Sequence, residues 1–288
     1  MSLNNVCIKN EFLTVTIKTL GAELTSIKDA NGEERLHQPD MVFWNGQAPV
    51  LFPVCGTPRD KKVTVDGKEY EMGSHGFARH REFNLMECTE DLAVFSLVSD
   101  EETKKQYPFD FELIITYKLL GSSIDVSYEI INDDNKEMYF SIGSHESYIC
   151  LDGLSEYEIH FEKEEPAKPY IFETLRIPEE SLSTVDGHSV LALSDDLFED
   201  SVTVVYEKPE SDFVYLVSKK DGKKVRVEFE GFTNLFVWTP PRSQFVCIEP
   251  WCGMADQKGA PHEMSEKPDI MSLEAGGHYE NHHIITLY

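Results

Sequence analysis

Apolar and polar residues alternate in short runs along most of this chain. Phe12 to Lys18 repeats with a period of two, the mark of a half-buried strand. Val6 to Asn10 precedes it, and Asn10-Glu11 predicts a hairpin between them. Gly21 to Asp29 reads as the next strand, ended by the turn Asp29-Ala-Asn-Gly32. Val63 to Met72 folds back at Asp66-Gly67. Glu82 to Cys88, Ala93 to Ser99, Phe109 to Leu119 and Ser123 to Asn132 predict four long neighbouring strands, followed by Met138 to Gly143. Residues 152–200 hold turns, prolines and the mixed-charge stretch Glu162 to Lys168, which predict short strands and loops. The strand pattern resumes in Ser201 to Tyr206, Phe213 to Ser218, Lys224 to Phe229, Asn234 to Trp238, Phe245 to Ile248 and His282 to Tyr288. Convincing helical periods are few, and Ser265 to Gly276 is too broken to count as one. About eighteen strand segments with almost no helix predict an all-β fold, a large two-layer antiparallel sandwich forming one domain over residues 1–288.

Composition narrows the function classes. The chain has 288 residues, 52 acidic against 26 basic, for a net charge of -26. Such a surface repels phosphate backbones and anionic lipids, so neither nucleic acid nor a membrane is an expected partner. No apolar run reaches the length of a membrane span, and Met1 to Lys9 has neither a basic nor an apolar leader region. The six cysteines form no C-x-x-C pair and sit mostly in apolar runs, which points to a reducing, cytoplasmic setting.

Chemistry concentrates at a few positions. In Phe245-Val-Cys-Ile-Glu-Pro-Trp251 one carboxylate, Glu249, sits between an apolar run and a tryptophan. Pro250 has no N–H for a ladder, so the strand is expected to end near Glu249 or to face an edge there. Desolvation raises such a carboxylate's pKa and makes it a better base. His145 follows the apolar strand that ends at Gly143, a titratable group at a strand end; taken in isolation, the segment favours a satisfied half-buried histidine. His75 and Arg79 lie in Gly73-Ser-His-Gly-Phe-Ala-Arg79, where glycine frees the backbone to approach a ligand and the guanidinium supplies a fork of donors. A turn with a capping histidine is the plain alternative. Arg59, in Gly56-Thr-Pro-Arg-Asp60, either donates to a ligand or pairs with Asp60. Cys247-x4-Cys252 fits no common zinc pattern, and the histidines near 278–283 belong to a solvated tail, so no metal is expected. Ser144 and Ser147 beside His145 lack a nucleophile elbow.

Leu51-Phe-Pro-Val-Cys-Gly56, His75-Gly-Phe-Ala-Arg79, Ser141-Ile-Gly-Ser-His145 and Cys247-Ile-Glu-Pro-Trp251 occur in an order that resembles the aldose 1-epimerase (galactose mutarotase) family, nearest its bacterial LacX-like branch. Leu20-Gly-Ala-Glu-Leu24 is similar to the family's opening strands. The resemblance implies a galactose-mutarotase-like β-super-sandwich with a sugar cleft, and α/β interconversion at the anomeric carbon. It implies Glu249 as the base on the C1 hydroxyl and His145 as the acid on the ring oxygen. His75, Arg79 and, more loosely, Arg59 then bind sugar, and Asp200 matches a family aspartate that contacts sugar hydroxyls. The chemistry agrees: only protons move, so one base and one acid suffice, with no cofactor, and Trp251 offers an apolar face to sugar C–H groups. The branch usually reads Gly-Gly-His-Pro-Ala-Phe around the acid, where this chain has Gly143-Ser-His-Glu-Ser-Tyr148. Glu146 is therefore expected to raise the proton affinity of His145 by opposite charge, or to block a sugar or repel a phosphate. The alternatives to a free-aldohexose mutarotase are a hexose-6-phosphate 1-epimerase and a non-catalytic sugar-binding protein on the same fold.

Overall fold

The structure, a computed structural model, describes residues 5–170 and 185–288. Among these the chain forms strands and short 3-10 turns, with no α-helix. Asn5–Lys9 (β1), Leu13–Lys18 (β2) and Glu23–Asp29 (β3) make a small antiparallel sheet. The Asn10 side-chain carbonyl accepts from the Phe12 and Leu13 N–H groups at 2.9 and 2.8 Å and closes the first hairpin. Lys62–Val65 (β4) and Lys68–Glu71 (β5) form a second hairpin. Its Asp66 and Gly67 both take positive φ, 53° and 74°, as a two-residue turn of matching twist requires.

Among the described residues the main sheet has fourteen strands. Asn84–Cys88 (β6), Leu92–Val98 (β7), Phe111–Leu120 (β8) and Ser123–Asn132 (β9) form a meander at one end. In β9 every second residue is buried, as the period of two predicts. Met138–Phe140 (β10), Ile142–Gly143 (β11) and Ser147–Ile149 (β12) come next. Tyr157–Tyr170 (β13), Val185–Ala192 (β14), Thr203–Glu207 (β15), Phe213–Ser218 (β16), Lys224–Glu228 (β17), Asn234–Trp238 (β18), Phe245–Cys252 (β19), Met271–Leu273 (β20) and His278–Leu287 (β21) complete the set. The order is β11-β19-β18-β15-β13-β16-β17-β21-β9-β8-β7-β6, with β12 beside β19 and β14 beside β13; β10 pairs with β20 in a separate two-stranded sheet.

Three expectations are corrected. The stretch Glu162 to Lys168 is the middle of β13, a strand of 14 residues, rather than short strands and loops. β13 pairs with β16 over Tyr157–Phe161 and with β15 over Lys168–Tyr170, so it carries the chain from one half of the sheet to the other. Its register against β14 shifts between His160 and Glu165 and again between Glu165 and Ala167, the second shift falling at Pro166, which has no N–H for a ladder. Met138 to Gly143 is two strands, because Ser141 breaks away to donate its N–H to the Pro53 carbonyl. β19 does not end at Glu249; it runs on to Cys252.

Pro250 is tolerated inside β19 for a local reason. The backbone groups of Ile248 and Pro250 face the edge shared by β11 and β12, and that edge is interrupted at Ser144–Glu146. There Ile248 N–H donates to the Glu146 carbonyl and Ser144 N–H to the Pro250 carbonyl, at 3.2 and 3.1 Å. The absent proline donor falls in the gap between two short partner strands.

The main hydrophobic core draws on the small N-terminal sheet and on both halves of the main sheet. A smaller cluster lies on the other face of β15, β18 and β19: Leu51, Cys55, Val205, Phe236, Trp251, Met254 and Ala255. Strand alternation sorts the two. Val246, Ile248 and Cys252 of β19 face the main core, whereas Cys247, Glu249 and Trp251 face the opposite side.

Candidate active site

That opposite side is the floor of a cleft of about 330 Å³. Glu249 and Trp251 of β19, Trp238 of β18 and Thr203 of β15 form the floor. His75, Arg79, Gly56, Thr57 and Ser74 make one wall; Trp44 and His145 make the other. All three tryptophans of the chain line it.

Glu249 Oε2 lies 3.4 Å from His145 Nε2, with the carboxylate 2% and the imidazole 9% exposed. Burial, with the Glu146 charge behind it, pushes the Glu249 carboxyl well above the ordinary glutamate value; a contact from Trp251 opposes the shift. Burial also pulls His145 down, to about 4, and the Arg79 charge adds to the fall. Glu146 acts on His145 in the expected direction, but burial wins, so the imidazole is neutral near pH 7. The Trp44 ring stacks on His145 with centroids 4.9 Å apart, and Trp238 meets it edge-on at 5.9 Å.

Glu146 is the second correction at this segment. Neighbouring residues of an extended backbone point to opposite faces, so Glu146 turns away from the cleft into the core. Its Oε1 lies 3.2 Å from Nε2 of the fully buried His283. It neither blocks nor lines the cleft. Ser147 pairs with Cys247 of β19 and is covered there, donating to the Gln47 carbonyl at 2.6 Å, so it does not line the cleft either.

His75 has φ 60° and Gly76 φ 70°. A Cβ on Gly76 would stand 2.2 Å from the Phe52 carbonyl oxygen, so the glycine serves a close backbone packing rather than a ligand. The His75 Nδ1 accepts from the Gly56 N–H at 3.1 Å, which places the proton of the neutral ring on Nε2. Burial, with His145 and Arg79 nearby, holds His75 well below its usual pKa. His75 is thus a neutral donor on the cleft wall, in edge contact with His145 and Trp251. Trp251 stacks on Phe236 at 3.7 Å, and its indole N–H donates to the Ser144 carbonyl, fixing the floor beside the acid-bearing segment.

Arg59 is not brought to this group. Its backbone N–H donates to Asp256, and its Nε donates to His262 at 2.8 Å, with the Asp60 carboxylate 3.8 Å away. Asp200 has its side chain outside the described residues. Trp44, Trp238, Thr57, Ser74 and Thr203 were missed. The scarcity of tryptophan was the one available signal for the first two, because a rare indole at a strand end or in a Trp-Asn-Gly loop suits a sugar face.

Cys247 lies on the Glu249 face of β19, and ligand atoms of His145, Cys247 and Glu249 approach within 4.8 Å of one another. All six cysteines are unpaired. No helix among the described residues is long and apolar enough to cross a membrane.

The sequence profile of the family described as aldose 1-epimerase matches residues 4–286, and the chain belongs to that family. It is 35% identical over 281 residues to the plasmid-encoded protein LacX of Lactococcus lactis subsp. lactis, covering 92% of this chain and 93% of that one. Among solved structures it resembles a galactose mutarotase related enzyme from Lactobacillus acidophilus, with TM-score 0.89 and 28% identity over 99% of this chain and 97% of that one. A galactose mutarotase-like protein from Lactobacillus casei is equally similar, with TM-score 0.89 and 27% identity over 99% and 100% of the two chains. The fold is galactose mutarotase-like.

Proposed function

We propose that this chain is a single-domain aldose 1-epimerase that interconverts the α and β anomers of a free aldohexose. One observation carries the reading: the Glu249 carboxylate and the His145 imidazole are buried together, 3.4 Å apart, on a cleft walled by indoles. Glu249 takes the proton of the C1 hydroxyl while His145 protonates the ring oxygen. The C1–O5 bond breaks, the aldehyde turns about C1–C2, and the reverse steps close the ring on its other face. His75 and Arg79 donate to sugar hydroxyls, Trp251 and Trp44 pack on sugar C–H groups, and Asp200 is assigned to a further hydroxyl.

The pair works with one shared proton. The pyranose needs it on His145; the open chain leaves it on Glu249. Burial raises Glu249 and lowers His145, which favours the proton arrangement of the open chain. The site thereby lowers the cost of ring opening relative to substrate binding.

A free sugar is favoured over a hexose 6-phosphate by the cations available. Arg79 is the one arginine or lysine lining the cleft among the described residues. Arg59 is engaged by His262, Arg81 by Asp100 and Arg242 by Glu199. The altered residues Glu146 and Ser147 are buried and do not line the cleft, which supports catalysis over a non-catalytic sugar-binding protein.

Polarimetry of freshly dissolved α-glucose or α-galactose tests the proposal. Acceleration over buffer is expected, and Glu249→Gln should lower the rate by about 10²–10⁴-fold. Near-wild-type activity in that variant would exclude Glu249 as the base. No acceleration with any aldose or aldose phosphate would leave a sugar-binding protein.

A further inference from the structure

We infer that the cleft holds a thiophilic divalent cation, zinc in particular, on His145, Cys247 and Glu249, and that this ion competes with sugar. The three side chains offer one nitrogen, one sulfur and one oxygen, all within 4.8 Å of one another. Zinc binds such donors tetrahedrally at about 2.0–2.3 Å, which sets donor atoms roughly 3.3–3.8 Å apart. The His145–Glu249 separation of 3.4 Å already meets that spacing. Cys247 and Glu249 are two apart on β19 and so share its cleft face, and the sulfur closes the third corner by a small movement.

The His145 Nδ1 has no hydrogen-bond partner among the described residues, so the ring is placed by its contacts with Trp44, Trp238 and His75 and not by a hydrogen bond at that nitrogen. Three protein ligands leave a fourth corner for water, on the open side where a sugar would sit. The charges suit a dication. Burial holds the Cys247 thiol and the Glu249 carboxyl above their usual values, so a bound ion displaces both protons, with the buried Glu146 carboxylate behind it and Arg79 in front.

The same geometry makes the site reversible. A tightly held histidine ligand usually donates its other ring N–H to a fixed acceptor, and His145 has none. The bound ion takes the lone pairs of both groups that the proposed epimerisation needs. The chemistry therefore predicts an inhibitory site. Occupancy itself does not depend on the proposed activity; only the competition with sugar does.

The test uses Co²⁺ as the spectroscopic probe and Zn²⁺ as the competitor. Cys7 and Cys88 are exposed and are replaced by serine throughout, so that they contribute no thiolate. Co²⁺ should give a sulfur-to-cobalt charge-transfer band at one ion per chain, abolished by added Zn²⁺. Cys247→Ser should remove the band. Glu249→Gln should keep it and weaken binding about tenfold or more. Zn²⁺ should raise the apparent KM for sugar, with recovery on adding EDTA. A band that persists in Cys247→Ser, or the absence of any band in the parent protein, overturns the site. The near-isosteric Glu249→Gln protein decides the matter if Cys247→Ser does not fold: unchanged Co²⁺ affinity there also overturns it. A protein with the band but no mutarotation would sink the proposed function and leave the metal site standing.

Discussion

Two buried carboxylate–imidazole pairs lie back to back in this protein. Glu249 and His145 are 3.4 Å apart and face the cleft; Glu146 and His283 are 3.2 Å apart and face the core. All four are almost wholly buried. Yet the carboxylates move in opposite directions. Burial pushes Glu146 up, but the His283 imidazole beside it pulls it below the ordinary glutamate value. Burial pushes Glu249 up, and no imidazolium offsets it, because burial and Arg79 hold His145 near 4. The inner pair sits among tyrosines: Tyr128 stacks on His283, and Tyr117, Tyr128 and Tyr148 are all held above their usual pKa. Whether such a carboxylate is held ionised or held protonated depends on the charges around it, and not on burial or distance alone.

The contrast is broken most sharply by making one substitution in each pair. Glu146→Gln removes one partner of a fully buried pair and should destabilise the fold by about 3–5 kcal/mol. Glu249→Gln should cost far less stability, although it removes the proposed activity. Denaturant unfolding of the two variants measures the difference; equal losses would show that the pairs are not distinct in kind.

The pH dependence of stability should also differ. The folded Glu146 has a lowered pKa, so its contribution is present above the ordinary value of 4.5 and is lost as pH falls through its folded value. The folded Glu249 has a raised pKa, so its contribution is complete below 4.5 and is lost as pH rises through its folded value. The stability penalty of Glu146→Gln should therefore shrink in acid. That of Glu249→Gln should shrink, or become a gain, in alkali. Melting temperatures of both variants from pH 4 to 9 would show the opposite slopes.

How far the chain itself announced this arrangement varies by element. The meander β6 to β9 was legible, because its alternation is local and its turns are short. β13 was not, because prolines and charges interrupt its pattern, and its pairing with β15 and β16 is set by residues far along the chain. Glu249 was legible as a desolvated carboxylate, from the apolar run before it and the tryptophan after. Its place inside a strand was not, since Pro250 is accommodated by a gap between β11 and β12 a hundred residues earlier. Glu146 was expected beside the sugar, because nothing in the sequence alone turned it from the His145 side into the core. The partner of Glu146 was hidden, because nothing local in sequence ties residue 146 to residue 283.

The smaller effects concern the coupling between the two pairs. The working form of the cleft pair carries one proton, so kcat/KM should follow a bell-shaped curve in pH. Its acid limb should fall near 4, where His145 gains a second proton for the pair. Its alkaline limb should lie well above the ordinary carboxylate range, where Glu249 loses the shared one. The Glu146 charge raises both Glu249 and His145, so removing it lowers both. In Glu146→Gln the whole bell should move toward acid pH, with its width little changed. Polarimetric kcat/KM between pH 3 and 10, measured at a temperature where the variant stays folded, reads the displacement. A bell that stays in place would mean that the inner carboxylate serves only the fold and that the two pairs are electrically independent.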